Sequence, residues 1–350
     1  ADARRILSGD TIDPRDLREL ASQIERTGPS APARIDLVEA PGIFAPLAPV
    51  DYLCRALDMA AGAPTMIGGA GYSKKTMAAQ AMGVAVAADR RLWGAWDVRR
   101  GRVIHLDYEQ GSRLTRERYQ RIARGEGVAP RELDGRLARA AFPSLRLDEA
   151  GAEDVLSRLC EGVALLIVDS YRAACPSTDE NASVARLPLD MLARVSERTG
   201  VVPAVVHHAR KPSPTAVGGA RTSLRGSGAL FDALGSCLVL DGSEKGAPSR
   251  ASHEKARISG QLADDFGLSV EDVEIDGDPR GGLQVRVVDL GDLEDEQADQ
   301  RLEDMAERVL GHVRSHPGSS GREIRSKVRG GSTDLKGAAV VLPPHLDAEI

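Results

Sequence analysis

The sequence predicts an α/β domain on a mainly parallel sheet, followed by a small helix-turn-helix-like segment. Three observations carry this. Short runs at residues 65–67, 103–107, 163–169, 201–207 and 236–240 are apolar almost throughout rather than alternating, as expected of strands covered on both faces. Segments of helical period separate them, at 75–88, 112–125, 151–160 and 183–199. A glycine-rich stretch, 68–71, joins the first run to the first helical segment. Alternating strands and helices place a ligand beyond the carboxyl ends of the strands.

Taken in order, residues 1–48 read as an appendage: a short helical pattern at 13–26, then a tether carrying Pro29, Pro32, Pro41 and Pro46. Residues 49–290 hold the α/β pattern, with strand-like segments around Gly and Asp turns after 270. Residues 289–304 carry eight acids against one Arg, so 291–304 reads as a solvated acidic linker. In 305–350 the balance reverses, with seven Lys/Arg against two acids over 308–336. There a helix over 304–315, a Pro-Gly turn, a short helix over 320–328 and a helix-like start at Thr333 resemble the opening of a winged-helix module without a clear wing.

Composition narrows the classes. With 42% apolar and 28% charged residues among 350, the chain is a packed globular protein rather than a disordered one. Its formal net charge of −6 argues against coating nucleic acid with the whole surface and leaves room for local basic patches. The longest apolar run, 77–88, is too short to span a bilayer, and no charged-then-apolar leader opens the chain. Cys54, Cys160, Cys175 and Cys237 are far apart, without metal-ligand spacing, and read as buried thiols of a cytoplasmic protein.

The chemistry is concentrated at strand ends. Gly69-Ala70-Gly71-Tyr72-Ser73-Lys74-Lys75-Thr76 follows a strand and opens a helix, the setting that the phosphate-loop signature G-x-x-x-x-G-K-[ST] requires. Loop amides from Gly69 to Met77 would cradle the phosphates of ATP, Lys75 would neutralise the β/γ oxygens, and Thr76 would hold Mg²⁺. Lys74 stands where the second Gly is expected; its Cβ could crowd the backbone, or its charge could add phosphate attraction. Asp107 and Glu109, two apart, share a face of the strand that Glu109 ends, where a carboxylate can orient or deprotonate an attacking water. Asp169 ends a hydrophobic run 94 residues after Lys75 and would hold the Mg²⁺ hydration shell. His207 and His208 end the next strand facing opposite ways, so they do not chelate one metal. One imidazole, assigned to His208, would sense the γ-phosphate. The loop at 209–224 then carries Arg210, Lys211 and Arg221 and no acid, which suits a phosphodiester backbone.

These residues bear a resemblance. Val168-Asp169-Ser170 and Leu106-Asp107-Tyr108-Glu109 resemble the Walker B and catalytic-glutamate strands of RecA-type P-loop ATPases. Asp179-Glu180-Asn181, His207-His208-Ala209-Arg210-Lys211 and Leu224-Arg225-Gly226-Ser227-Gly228-Ala229-Leu230 resemble the plasmid RepA-type hexameric replicative helicases and their AAA-family relatives, over about residues 49–289. The resemblance implies a RecA-like core and a homohexameric ring with ATP between subunits and a cation reaching across. Arg225 matches the RepA-type arginine finger, and Lys255-Ala256-Arg257 resembles the K-x-R pair of DnaB-type rings. It further implies an ATP-hydrolysing motor translocating on single-stranded DNA, with the carboxy-terminal module tethering it to an origin or a replication partner. The alternatives are an ATP-switched DNA-binding regulator and a KaiC-like or recombination-mediator ATPase.

Overall fold

Neighbouring residues of a strand point to opposite faces, and the apolar strands of this chain bury both. The computed structural model describes residues 37–179, 182–208, 228–241 and 247–319 with 323, 324 and 327, and for 292–303 the backbone alone. A small antiparallel pair, β1 (Tyr52–Cys54) and β2 (Met59–Ala60), precedes the main sheet. That sheet contains β3 (Thr65–Gly69), β4 (Arg102–Asp107), β5 (Leu137–Ala141), β6 (Val163–Asp169), β7 (Val202–His208), β8 (Ser236–Asp241), β9 (Ser249–Ala256), β10 (Phe266–Ile275) and β11 (Asp278–Val288). Their order is β11-β10-β9-β8-β3-β7-β6-β4-β5. Every pair from β8 to β5 is parallel, and β9, β10 and β11 extend the sheet antiparallel.

The helices are α1 (Ala40–Ile43), α2 (Lys75–Ala88), α3 (Gly111–Gly125), α4 (Pro130–Leu133), α5 (Ala152–Leu159), α6 (Tyr171–Ala174), α7 (Leu187–Thr199), α8 (Gly228–Ala233) and α9 (Leu290–Ser315). Ile67, Val103, Ile167, Val206 and Leu238 face one core with α2 and α3. Their neighbours Met66, Ile104, Val168, Val205 and Cys237 face the other with α5, α7 and α8. This is the mainly parallel α/β architecture expected. All four cysteines are buried thiols, and no described helix is long and apolar enough to cross a membrane.

Helix α2 is apolar all round, as a helix without a solvent face must be, and 12 of its 14 residues are buried. Phe266, Leu268, Leu283 and Val285 of β10 and β11 share its core, so the sheet, α3 and the β10–β11 hairpin enclose it. The hairpin meets α3 backbone to backbone. A Cβ on Gly125 would lie 2.2 Å from the Leu283 carbonyl oxygen. Arg124 Nε donates to the Gly281 carbonyl at 2.8 Å, and Arg286 forks onto Glu126 at 2.5 and 3.1 Å. Gly125→Ala must push this seam apart and is expected to cost roughly 1–3 kcal/mol, read as a lower urea midpoint with an unchanged slope.

Several elements differ from expectation. The segment 183–199 begins as a 3-10 turn (Ser183–Arg186) before α7. β5 and β9 were not expected as strands. The acidic stretch is helical: α9 starts at Leu290, ahead of the helix expected at 304–315, and runs through it. The Asp289 side chain caps this helix by accepting from the Gly291 N–H at 2.7 Å. No proline interrupts 290–315. Further on, Ile324 of the expected short helix packs with Met305, Ala306, Val309 and Val313 of α9. Residues 37–49 add nothing to the core, all being exposed. The expected helix at 13–26 and the module beyond 327 lie outside the described residues.

Candidate nucleotide site

β3 is buried throughout and delivers the chain to a turn that only glycine can begin. A Cβ on Gly69 would lie 2.1 Å from the Leu240 carbonyl oxygen of β8. The turn closes on Ser73, whose hydroxyl donates to the Ala70 carbonyl at 2.8 Å. Lys75, in the first turn of α2, folds back beneath the turn and donates to Ala70 O at 2.6 Å and Ser73 Oγ at 2.9 Å. Burial pushes its ammonium down to about 8, against the pull of the Asp169 and Glu109 carboxylates. Thr76 and Met77 follow, half-buried.

Lys74 takes the left-handed conformation, with φ 63° and ψ 12°, where a glycine would sit without strain. Its side chain leaves the turn, and Nζ donates to the Ala247 carbonyl at 2.6 Å, between β8 and β9. The extra ammonium is therefore spent on a carbonyl of the same chain. Tyr72 is also left-handed (φ 66°) and 99% exposed at the apex. Gly71 has open space around it.

Three strand ends supply the opposing groups. Asp169, at the end of β6, is fully buried, and neither carboxylate oxygen has a hydrogen bond of ordinary geometry among the described residues. Burial pushes its carboxyl up to about 6, opposed by the neighbouring Thr76 hydroxyl. An orphaned buried carboxylate beside Thr76 and a buried ammonium fits a divalent cation with phosphate oxygens. Glu109 lies in the turn beyond β4, accepting from the Ser170 hydroxyl and from His208 Nε2 at 3.2 Å. The His208 bond foremost, with Ser170 and the Lys75 charge, holds its carboxyl below the usual range.

Asp107 and Glu109 do not share a strand face as expected. β4 ends at Asp107, whose carboxylate accepts from the Glu109 and Gln110 N–H groups at 3.1 and 2.8 Å and from the Thr115 hydroxyl. It ties the turn that presents Glu109 to Thr115 of α3. Of the two histidines, His208 meets Glu109, while His207 is buried against the Tyr171 ring and pushed by burial down to about 4. Two participants were not foreseen. Ser170 follows Asp169 in sequence and reaches Glu109. Arg118, one turn beyond Thr115, donates to Gln110 Oε1 and feels the Asp169 and Asp107 charges.

Lys255 and Arg257 are elsewhere. Lys255 sits opposite Cys237 at the start of β8, whereas Gly69 aligns with Leu240 near the end of that strand. Three residues of strand separate the levels by roughly 10 Å, so the pair lies toward the opposite ends of the strands from its own phosphate loop. Arg210, Lys211, Arg221 and Arg225 lie outside the described residues.

A family model described as AAA domain matches residues 29–214, more than half of the chain. The crystal structure of the RadB recombinase is similar over 66% of this chain and 93% of that one, at 22% identity and a TM-score of 0.44. No curated protein sequence matches. On the family match, the chain belongs to the AAA domain family, as a P-loop nucleotide-binding protein with a mainly parallel α/β core.

Proposed function

We propose that the protein is a cytoplasmic ATP-hydrolysing motor, a ring-forming replicative DNA helicase that translocates on single-stranded DNA. The observation that carries this reading is the convergence of buried Lys75, orphaned Asp169 and ionised Glu109 on one phosphate turn. Gly69 to Met77 would hold the triphosphate, and Thr76 and Asp169 would hold Mg²⁺, which would supply charge neutralisation when bound. Glu109 accepts a hydrogen bond from the attacking water and aims it, with His208 steadying the carboxylate and reporting on the γ-phosphate. Ionised below the usual carboxylate range, Glu109 orients water more than it removes a proton.

In this reading a homohexamer places each triphosphate between subunits, within reach of Arg225 or of the Lys255–Arg257 pair of a neighbour. The position of that pair, away from its own phosphate loop, supports an action across a subunit boundary. Arg210, Lys211 and Arg221 grip the DNA backbone, the core at 49–290 forms the motor with 1–48 as its appendage, and the segment from 305 tethers a replication partner.

The test is ATP turnover with and without single-stranded DNA, alongside strand separation. A motor shows stimulation of severalfold, and its DNA affinity falls with salt by about 0.7 log units per phosphate neutralised. Nucleotide binding without stimulated turnover would instead indicate an ATP-switched DNA-binding regulator. Turnover without strand separation would indicate a recombination-mediator-like ATPase.

A further inference from the structure

Asp58 is a buried carboxylate far from the nucleotide site and without an ion pair among the described residues. It is 2% exposed and ends the 3-10 turn Arg55–Leu57 in the left-handed conformation, with φ 51°. A buried charge is costly unless its oxygens are well used. Here both are spent on consecutive backbone donors: Oδ2 accepts from Ile258 N at 2.8 Å and Oδ1 from Ser259 N at 3.0 Å. Those are the two residues after Arg257. An asparagine would turn an amide toward one of these N–H groups, so the grip requires an acceptor-only side chain.

The other side of the same segment rests on α8. Lys255 Nζ donates to the Phe231 and Asp232 carbonyls at 2.6 and 3.2 Å and lies 4.9 Å from the centre of the Phe231 ring. Arg257 Nη2 donates to the Asp232 carbonyl at 2.9 Å, and its N–H to Gly235 O at 2.9 Å. Both cations thus hold neutral carbonyls at a helix end, partners that a phosphate oxygen outcompetes. When the heads exchange partners, the main chain that carries them stays held by the carboxylate on its far side.

We infer that Asp58 is the positioning residue of the Lys255–Arg257 pair, clamping the turn so that the two cations point together at a neighbouring subunit's triphosphate. This rests on the reading that the pair acts in trans. It assigns no contact between Asp58 and nucleotide.

The experiment is subunit mixing with the full-length protein, ATP, Mg²⁺ and single-stranded DNA. Asp58→Asn keeps the volume and one acceptor, and is expected to lower kcat at least tenfold while moving KM for ATP less than twofold, since its own phosphate loop is intact. Lys75→Ala subunits have a disabled loop but an intact pair. Mixed in equal amounts, Asp58→Asn and Lys75→Ala should recover severalfold more turnover than the sum of the two alone, as should Arg257→Ala and Lys75→Ala. A general folding defect gains nothing from mixing. Ser259→Pro, at an exposed position, deletes one gripped N–H from the other side and should reproduce the Asp58→Asn result. If Arg257→Ala is not rescued, the trans reading fails and Asp58 loses its role with it. If Arg257→Ala is rescued but Asp58→Asn and Ser259→Pro are not, or if those two turn over normally, the positioning role alone is overturned.

Discussion

Lys75→Ala is expected to reduce ATP turnover by about 10³-fold or more and to weaken nucleotide binding in parallel. Among the described residues the ammonium is the one cation folded beneath the phosphate turn, and Lys74 is committed to the Ala247 carbonyl. Calorimetry with a non-hydrolysable analogue, together with steady-state turnover, checks both halves. Retained binding would mean that the turn grips phosphate through backbone amides alone. The same site gives wild-type binding a pH window. Below about 6 the Asp169 carboxyl is protonated and gives up its claim on Mg²⁺; above about 8 Lys75 is neutral and must recover a proton to bind. Affinity for the Mg²⁺ complex should therefore be highest between these values and fall on both sides.

Glu109→Gln should separate binding from chemistry. The amide keeps the size of the side chain and can still accept from Ser170 or His208, so nucleotide affinity should change by less than about threefold. Turnover should fall by about 10²- to 10⁴-fold, the usual reach of one general-base or water-orienting group. Single-turnover measurements at saturating nucleotide read this directly. Unaltered turnover would assign the water to another residue, and Asp107 is no candidate, since its oxygens are occupied by the Glu109 and Gln110 N–H groups and the Thr115 hydroxyl.

What the sequence made legible follows from burial. The run from Lys75 to Ala88 announced its helix to the residue because a segment enclosed on all sides must be apolar throughout. β6 was equally plain, with every residue buried. β5, Leu-Ala-Arg-Ala-Ala, is an edge strand of small, half-exposed residues, and periodicity has little to grip there. β9 hides a half-buried alternation behind serines and a histidine. The acid run was not read as helix because charge was weighed above the absence of any helix breaker. Within the site, Lys75, Asp169 and Glu109 were readable from spacing. The division of labour between Asp107 and Glu109 was not, because it depends on where β4 ends, a difference of two residues. Nor was the direction of Lys74, which is set by a carbonyl 173 positions away.

The enclosure of α2 has a consequence for how the protein can fail. Segments open locally when water already bathes one flank, and α2 offers almost none. Its first residue is the phosphate-loop lysine, so this corner of the molecule has no cheap way to fray. Opening it means dismantling the domain, which makes occupancy of the triphosphate cradle a gauge of whether the whole domain still stands.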